Sequence, residues 1–256
     1  MGQAIIVAGV IVLVGLGVTA GLIVGLARAR KRVKFIEAAP ERRAGQLVAG
    51  PAKMRGEIRA VNGEDLLVSP MTRATCVYYK FVVEQERTRS DRTDGSMRPE
   101  TDWHSVITDE QAVPAAVRDE TGDALVDLKN AEVELSRGQR LESGTLNNAP
   151  AGLEHRLNKL YGFSSKGFIF NKSLRYIERV IEEGVRVFVV GEVKVHPSGT
   201  AVFSNGDHPL LVTDKNEEEL VSLYKTSVIG FLIGAILVPI VFLGIAGVVG
   251  YLIYTP

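Results

Sequence analysis

The residues that could do chemistry are few and scattered. Asp119, Glu120 and Asp123 fall close together, but Thr121 and Gly122 lie among them. That mixture is turn chemistry before it is a general-base site. An enzymatic reading would have to rest on this turn together with Glu178. Cys76 is the only cysteine and sits in an apolar stretch, where a thiol reads as a small buried hydrophobe. One cysteine allows no internal disulfide, and no zinc finger or RING can be built from this sequence, because such sites need paired Cys and His ligands. The four histidines, His104, His155, His196 and His208, are dispersed and read as ordinary side chains. No Gly-x-Ser-x-Gly, phosphate loop, His-Glu-x-x-His or dinucleotide glycine fingerprint occurs. No cofactor and no metal is implied. Lys and Arg together number 30, as do Asp and Glu, so charge gives no ground for a nucleic-acid partner.

The charges that balance overall are strongly segregated along the chain. Every Lys, Arg, Asp and Glu lies between Arg28 and Lys225. Residues 4–27 and 228–254 are free of charge and long enough to cross a hydrocarbon core of about 30 Å as helices. A cleaved signal peptide fits the first run poorly, since no positive charge precedes it. A buried core helix fits the second poorly on length. Myristoylation of Gly2 is rejected, because Ile6 stands where that motif wants Ser or Thr. The basic residues Arg28, Arg30, Lys31, Arg32 and Lys34 follow the first run at once, and Lys225 precedes the second. By the positive-inside rule the central part faces the cytoplasm, and these cations sit where lipid phosphates would be. The expected setting is a prokaryotic plasma membrane. Gly17, Gly21 and Gly25 recur every fourth residue, and Gly230 and Gly234 repeat the spacing. Small residues so placed let helices pack closely, either with each other or in a homo-oligomer.

Between the two runs the pattern is β-rich, with residues 28–45 as a basic juxtamembrane segment and linker. Residues 46–51 and 55–61 read as strands. Asn62-Gly63 reads as a hairpin turn into Leu66–Ser69, and Pro70 ends that strand. Residues 74–86 are rich in β-branched and aromatic residues and form the strongest strand. Thr88–Thr101 reads as a mobile hairpin loop, and Trp103–Thr108 as the returning strand, with Trp103 in the core. Residues 116–128 form a hairpin about the Asp119 turn. Gly138–Ser165, including Asn147 to Pro150, is an excursion with a helix from Gly152 to Tyr161. For Leu174–Glu183, helical and alternating spacings compete, and a β-hairpin through Gly184 into residues 185–195 is favoured. Residues 201–204 and 210–213 are short strands. Residues 216–226 form a helix, with Asp214 as its cap, leading into the second membrane run. The expectation is a β-rich α+β domain, residues 46–215, between two transmembrane helices.

Several segments in order resemble the GIDE domain, also called the BAM ("beside a membrane") domain. They are Gly56-Glu57-Ile58, Leu66 to Ser69-Pro70, Cys76-Val77-Tyr78-Tyr79, Trp103, and Asp119-Glu120-Thr121-Gly122 with Val126 and Ala131. Tyr176-Ile177-Glu178 with Gly184, and Val187 through Gly191-Glu192, complete the set. The best-known members are mitochondrial outer-membrane ubiquitin ligases. They carry this domain between two membrane helices and a RING domain after the second. This sequence ends at Pro256 without RING ligands, so the resemblance implies a prokaryotic member without ligase activity. The matching residues read as fold determinants: Pro70 ends a strand, Gly122 and Gly184 make turns, Tyr79 and Trp103 pack. The function expected is a membrane-anchored, non-catalytic interaction or sensing module with lipid contacts and a protein partner. Its alternative is an enzyme, or an accessory subunit of a ubiquitin-ligase-like or other membrane-associated modifying system. A pore is disfavoured, since charge-free helices offer no polar path.

Overall fold

The computed structural model describes residues 2–91, 98–136, 138–143, 151–164, 173–197 and 199–254. In chain order these form α1 (Gly2–Ala38), β1 (Gly50–Ala60), β2 (Leu67–Val68), β3 (Thr75–Asp91), β4 (Arg98–Ala112), β5 (Ala115–Asp119), β6 (Gly122–Val126) and β7 (Glu132–Glu134). Next come β8 (Gln139–Ser143), α2 (Ala151–Tyr161), β9 (Leu174–Glu182), β10 (Arg186–Val195), β11 (Ala201–Ser204), β12 (Leu211–Thr213) and α3 (Glu217–Tyr254). The two terminal helices form one compact unit, and Pro40–Lys215 forms the other.

In the helical unit, α1 and α3 run antiparallel. Phe242 packs on Gly15, Leu22 on Gly234 and Phe231 on Gly25, and the Arg32 guanidinium donates to the Tyr224 hydroxyl at 3.2 Å. Partner numbers on α3 fall as those on α1 rise. Glu37 and Lys225 pair at 2.9 Å. Both helices are long and apolar enough to cross a membrane. Their outward side chains, such as Leu13, Leu16, Ile236 and Ile240, are exposed. A continuous apolar surface of this kind needs an apolar solvent, which a bilayer supplies. Each helix is continuous through its polar end: α1 carries the basic segment as helix to Ala38, and α3 runs unbroken from Glu217 past Pro239.

In the other unit, β1 pairs antiparallel with both β5 and β10. β5 pairs with β6, β6 runs parallel to β11, and β11 pairs with β10. The circuit closes into a five-stranded barrel, which leaves those strands with no free edge. β12 and then β7 extend from β10. The barrel is filled by Met54, Ile58, Val117, Val126, Val189, Phe203 and their neighbours. A second, open sheet has β9 between β8 and β3, with β2 and β4 along the far edge of β3. Its buried face carries Tyr79, Phe81, Val83, Leu174 and Tyr176, against Leu153 and Leu157 of α2. One strand serves both cores because of a bulge at Cys76–Tyr78. Val77 and Tyr78 join the barrel core, while Cys76 and Tyr79 join the other. An even–odd pleat could not do this without an extra residue.

The two membrane-length helices, the β5–β6 hairpin, α2 and the strand character of residues 174–182 are as the sequence pattern predicts. Several local expectations are overturned. Residues 44–46 form a 3-10 turn, and β1 is one strand from Gly50. Asn62-Gly63 opens a 3-10 turn, not a hairpin: β2 pairs with β3, and β1 with other strands. β3 and β4 extend well into the expected loop Thr88–Thr101, of which 92–97 lie outside the described residues. Asn147–Pro150 lie outside them too, within the undescribed 144–150, while β8 shows that the excursion begins as a strand. β9 and β10 are not a hairpin. Gly184, at φ +82°, hands the chain from one sheet to the other, and its N–H donates to Ile58 O at 2.8 Å. Asp214 does not cap α3. It accepts from the N–H of Ser136 at 2.7 Å, while Asn216 Oδ1 accepts from the Glu219 N–H at 2.8 Å and Glu219 answers to the Asn216 N–H at 3.2 Å. That reciprocal pair is a capping box.

Candidate functional site

Strand alternation places Leu174, Tyr176 and Glu178 on the buried face of β9, so a carboxylate occupies a core position, 1% exposed. It is met by the loop that Pro70 starts. Glu178 Oε1 accepts from the Met71 N–H at 2.6 Å. Oε2 accepts from the Thr72 N–H at 2.9 Å, the Thr72 hydroxyl at 2.5 Å and the Ser69 hydroxyl at 3.1 Å. The same loop is gripped by Arg156 of α2, whose guanidinium donates to Pro70 O at 3.0 Å and Met71 O at 3.1 Å. Within it Arg73 sits at φ +63°, a conformation a non-glycine residue holds only when its surroundings enforce it. Glu178 therefore closes a loop against a sheet, with both carboxylate oxygens engaged by that loop. Its position in line with Leu174 and Tyr176 is the sequence signal for this role. Arg156 and Thr72 have no comparable signal.

A second polar centre is the β5–β6 turn. Asp119 accepts from the Thr121 N–H at 2.7 Å, the Thr121 hydroxyl at 2.6 Å and the Ala44 N–H at 2.8 Å. The Thr121 hydroxyl in turn accepts from the Gly45 N–H at 3.0 Å. Burial works to raise the Asp119 pKa, but these donors and the Gly122 N–H more than offset it and hold the carboxyl below its ordinary range. Gly122 follows at φ +149°. Beside the turn, Gly56 lets β1 approach β5, since a Cβ there would lie 2.3 Å from Arg118 O. Gly191 admits Leu210 in the same way, at 2.8 Å.

A third centre joins β3, β4 and α2. Asp109 Oδ2 accepts from the Tyr79 hydroxyl at 2.8 Å and the Tyr161 hydroxyl at 2.5 Å. Burial, then the carboxylate itself, push both phenols well above their ordinary range. Cys76 is fully buried; burial first, then the charges of Glu178 and Glu182, raise its thiol to about 11.

The residues singled out in the sequence thus fall into separate groups. Ser69, Pro70 and Glu178 come together, with Cys76 and Tyr79 in the adjoining core. Asp119, Gly122 and Gly56 form another group in the barrel. Glu178 and Asp119 lie in different sheets and share no hydrogen bond, so they build no common catalytic pair. Trp103 is not in the core. It is half-buried on β4, with the Arg175 guanidinium 4.0 Å from its ring centre, and Arg175 is in turn paired with Glu84 at 3.2 Å. In the helical unit Gly25 and Gly234 face the partner helix, but an added Cβ on Gly17, Gly21 or Gly230 meets nothing. Gly17 is more than half a turn from Gly15, so both cannot face α3. Arg28, Arg30, Lys31 and Lys34 are exposed, whereas Arg32 turns toward Tyr224.

The sequence matches the profile of the GIDE family, described as E3 Ubiquitin ligase, over residues 83–249. The chain belongs to the GIDE family. No curated protein and no solved structure matches it. The GIDE match runs from β3 through the second apolar helix and takes in the Asp119 turn, Glu178, Gly184 and Gly191. The Ser69-Pro70 loop that receives Glu178 lies N-terminal to it. In this GIDE chain Glu178 and Asp119 accept hydrogen bonds from neighbouring loops, and Gly56 and Gly191 lie at close approaches.

Proposed function

We propose that this GIDE domain is a membrane-anchored, non-catalytic interaction module that presents a recognition arm to a protein partner. The observation that carries this is the β3–β4 ribbon. β9 accompanies β3 only as far as Gln85. From Arg87 to Asp91 and from Arg98 to Asp102 the two strands pair only with each other among the described residues, while the Glu86 N–H still donates to Ser173 O at 3.0 Å. A two-stranded arm whose outer edges meet no other strand among the described residues, and whose sequence is polar and charged, is suited to contact. The internal saturation of Glu178, Asp119 and Asp109 favours this reading over an enzyme. The basic residues beside α1 support a cytoplasmic orientation, and a prokaryotic plasma membrane is the setting proposed with it.

The test is crosslinking and pull-down of the full-length chain from its native membrane, with and without residues 88–101. A reproducible partner that disappears on deletion supports the arm. A partner set that is the same for both chains would overturn it.

A further inference from the structure

A cleft of about 800 Å³ opens on the outside of the barrel, and five arginines line it: Arg42, Arg43, Arg55, Arg118 and Arg186. Strand register explains the concentration. Glu57 of β1 lies opposite Arg186 of β10 on one side and Arg118 of β5 on the other. Adjacent strands are about 4.8 Å apart, and Arg55 is two residues, about 7 Å, along the same face. Arg42 and Arg43 enter from the segment that the Asp119 turn holds through Ala44 and Gly45.

The cleft also contains Glu41, Glu57, Asp119 and Glu120, so the partners decide its character. Arg118 is gripped by Asp123 at 2.6 and 2.7 Å. Glu57 is bound by Arg59 at 3.1 Å, and Asp119 by the turn. Among the described residues the Arg42 guanidinium reaches the Gln46 carbonyl, at 3.5 Å, and Arg55 the Phe188 ring, 5.0 Å from its centre. Among the described residues Arg42, Arg43, Arg55 and Arg186 hold no carboxylate, and only Glu41 and Glu120 face them unengaged. Gathering like charges is unfavourable unless something answers them.

We propose that this cleft binds a small phosphate-bearing ligand. A carboxylate is satisfied by one guanidinium fork, as Asp123 is by Arg118. A phosphate group carries up to two charges and three acceptor oxygens, which several forks converging from different strands can share. The volume is that of a small-molecule site. The phosphate belongs either to a soluble ester or to a lipid head group. The proposal stands apart from the protein-partner reading, and either can fail alone.

The test uses the full-length chain in phosphatidylcholine nanodiscs and reads the rate at which phenylglyoxal modifies each arginine, by mass spectrometry. Arg87, exposed on β3, is the reference. In one arm inorganic pyrophosphate is titrated in; in the other, phosphatidic acid is added to the nanodisc. Slowed modification of Arg43, Arg55 and Arg186 relative to Arg87 is expected, and the arm in which it occurs names the source. In that arm Arg186→Ala should weaken the protection of Arg55 by about tenfold, the effect of one charged hydrogen-bonding partner. Unprotected arginines in both arms, or protection of Arg55 indifferent to Arg186→Ala, would overturn the proposal.

Discussion

Replacing Glu178 by Gln keeps the shape of a buried side chain and removes its charge. The structure says what this should cost. The four donors fall unequally on the two oxygens: one on Oε1, from Met71 N–H, and three on Oε2. The glutamine carbonyl will turn to the threefold side, which leaves its NH2 facing the Met71 N–H. A buried donor left unpaired costs about 1–3 kcal/mol. The three surviving bonds lose the strengthening of an ionised acceptor, about 1 kcal/mol each. Since neighbouring losses do not add in full, roughly 3 kcal/mol is expected, which is about a hundredfold in an opening equilibrium. Hydrogen exchange of peptides covering Ser69–Ala74, in the full chain in nanodiscs, reads this directly. Exchange there should accelerate by roughly that factor while peptides from the barrel strand β10 change little. Unchanged exchange of Ser69–Ala74 in Glu178→Gln would refute the idea that this carboxylate holds the loop.

Three further outcomes follow from the geometry. Gly56→Ala would drive a Cβ to 2.3 Å from Arg118 O; because backbone cannot swing aside, a loss of about 2–3 kcal/mol is expected, seen as a lower Tm, whereas Gly63→Ala, which meets nothing, should leave Tm unmoved. The Asp119 carboxyl is lowered in the folded state, so its contribution is complete above the ordinary carboxylate pKa of about 4 and is lost as pH falls through the folded value; Asp119→Asn should flatten the acid limb of thermal stability, and an identical limb would count against the turn's role. Gly25→Leu should disrupt the α1–α3 pair, whereas Gly17→Leu should not, as read from disulfide formation between Leu22→Cys and Gly234→Cys in a chain with Cys76→Ala.

Much of this architecture is legible in local patterns. The charge-free runs define α1 and α3, the Asp-x-Thr-Gly turn defines the β5–β6 hairpin, and strand alternation places Glu178 beside Tyr176. What local pattern cannot carry is partnership. Residues 174–182 and 186–195 flank a glycine with a positive φ and look like hairpin arms, yet β1 supplies both the acceptor for Gly184 and the edge for β10. That pairing spans most of the domain's sequence. Asp214 and Asn216 are equally good caps by type, and only Glu219, three residues after Asn216, decides between them. Trp103 looks like core by residue type but is covered by Arg175 from two strands away. The arginine cleft has no signature in the sequence, because its members are separated along the chain and matched by as many acids overall.

The pairing of Glu37 with Lys225 brings the two ends of the helix hairpin together at the points where the chain leaves it and returns. For the intervening residues this acts as a cross-link without a covalent bond. While the helices stay inserted, a chain of Pro40–Lys215 that has lost its structure remains a closed loop. Closing a loop of that length removes conformational freedom worth roughly 5 kcal/mol from the disordered ensemble, by the argument used for disulfides. Whatever holds α1 and α3 together would thereby stabilise the barrel through chain closure alone. The same sequence cut free of its helices should unfold more readily even with every hydrogen bond of its native state intact.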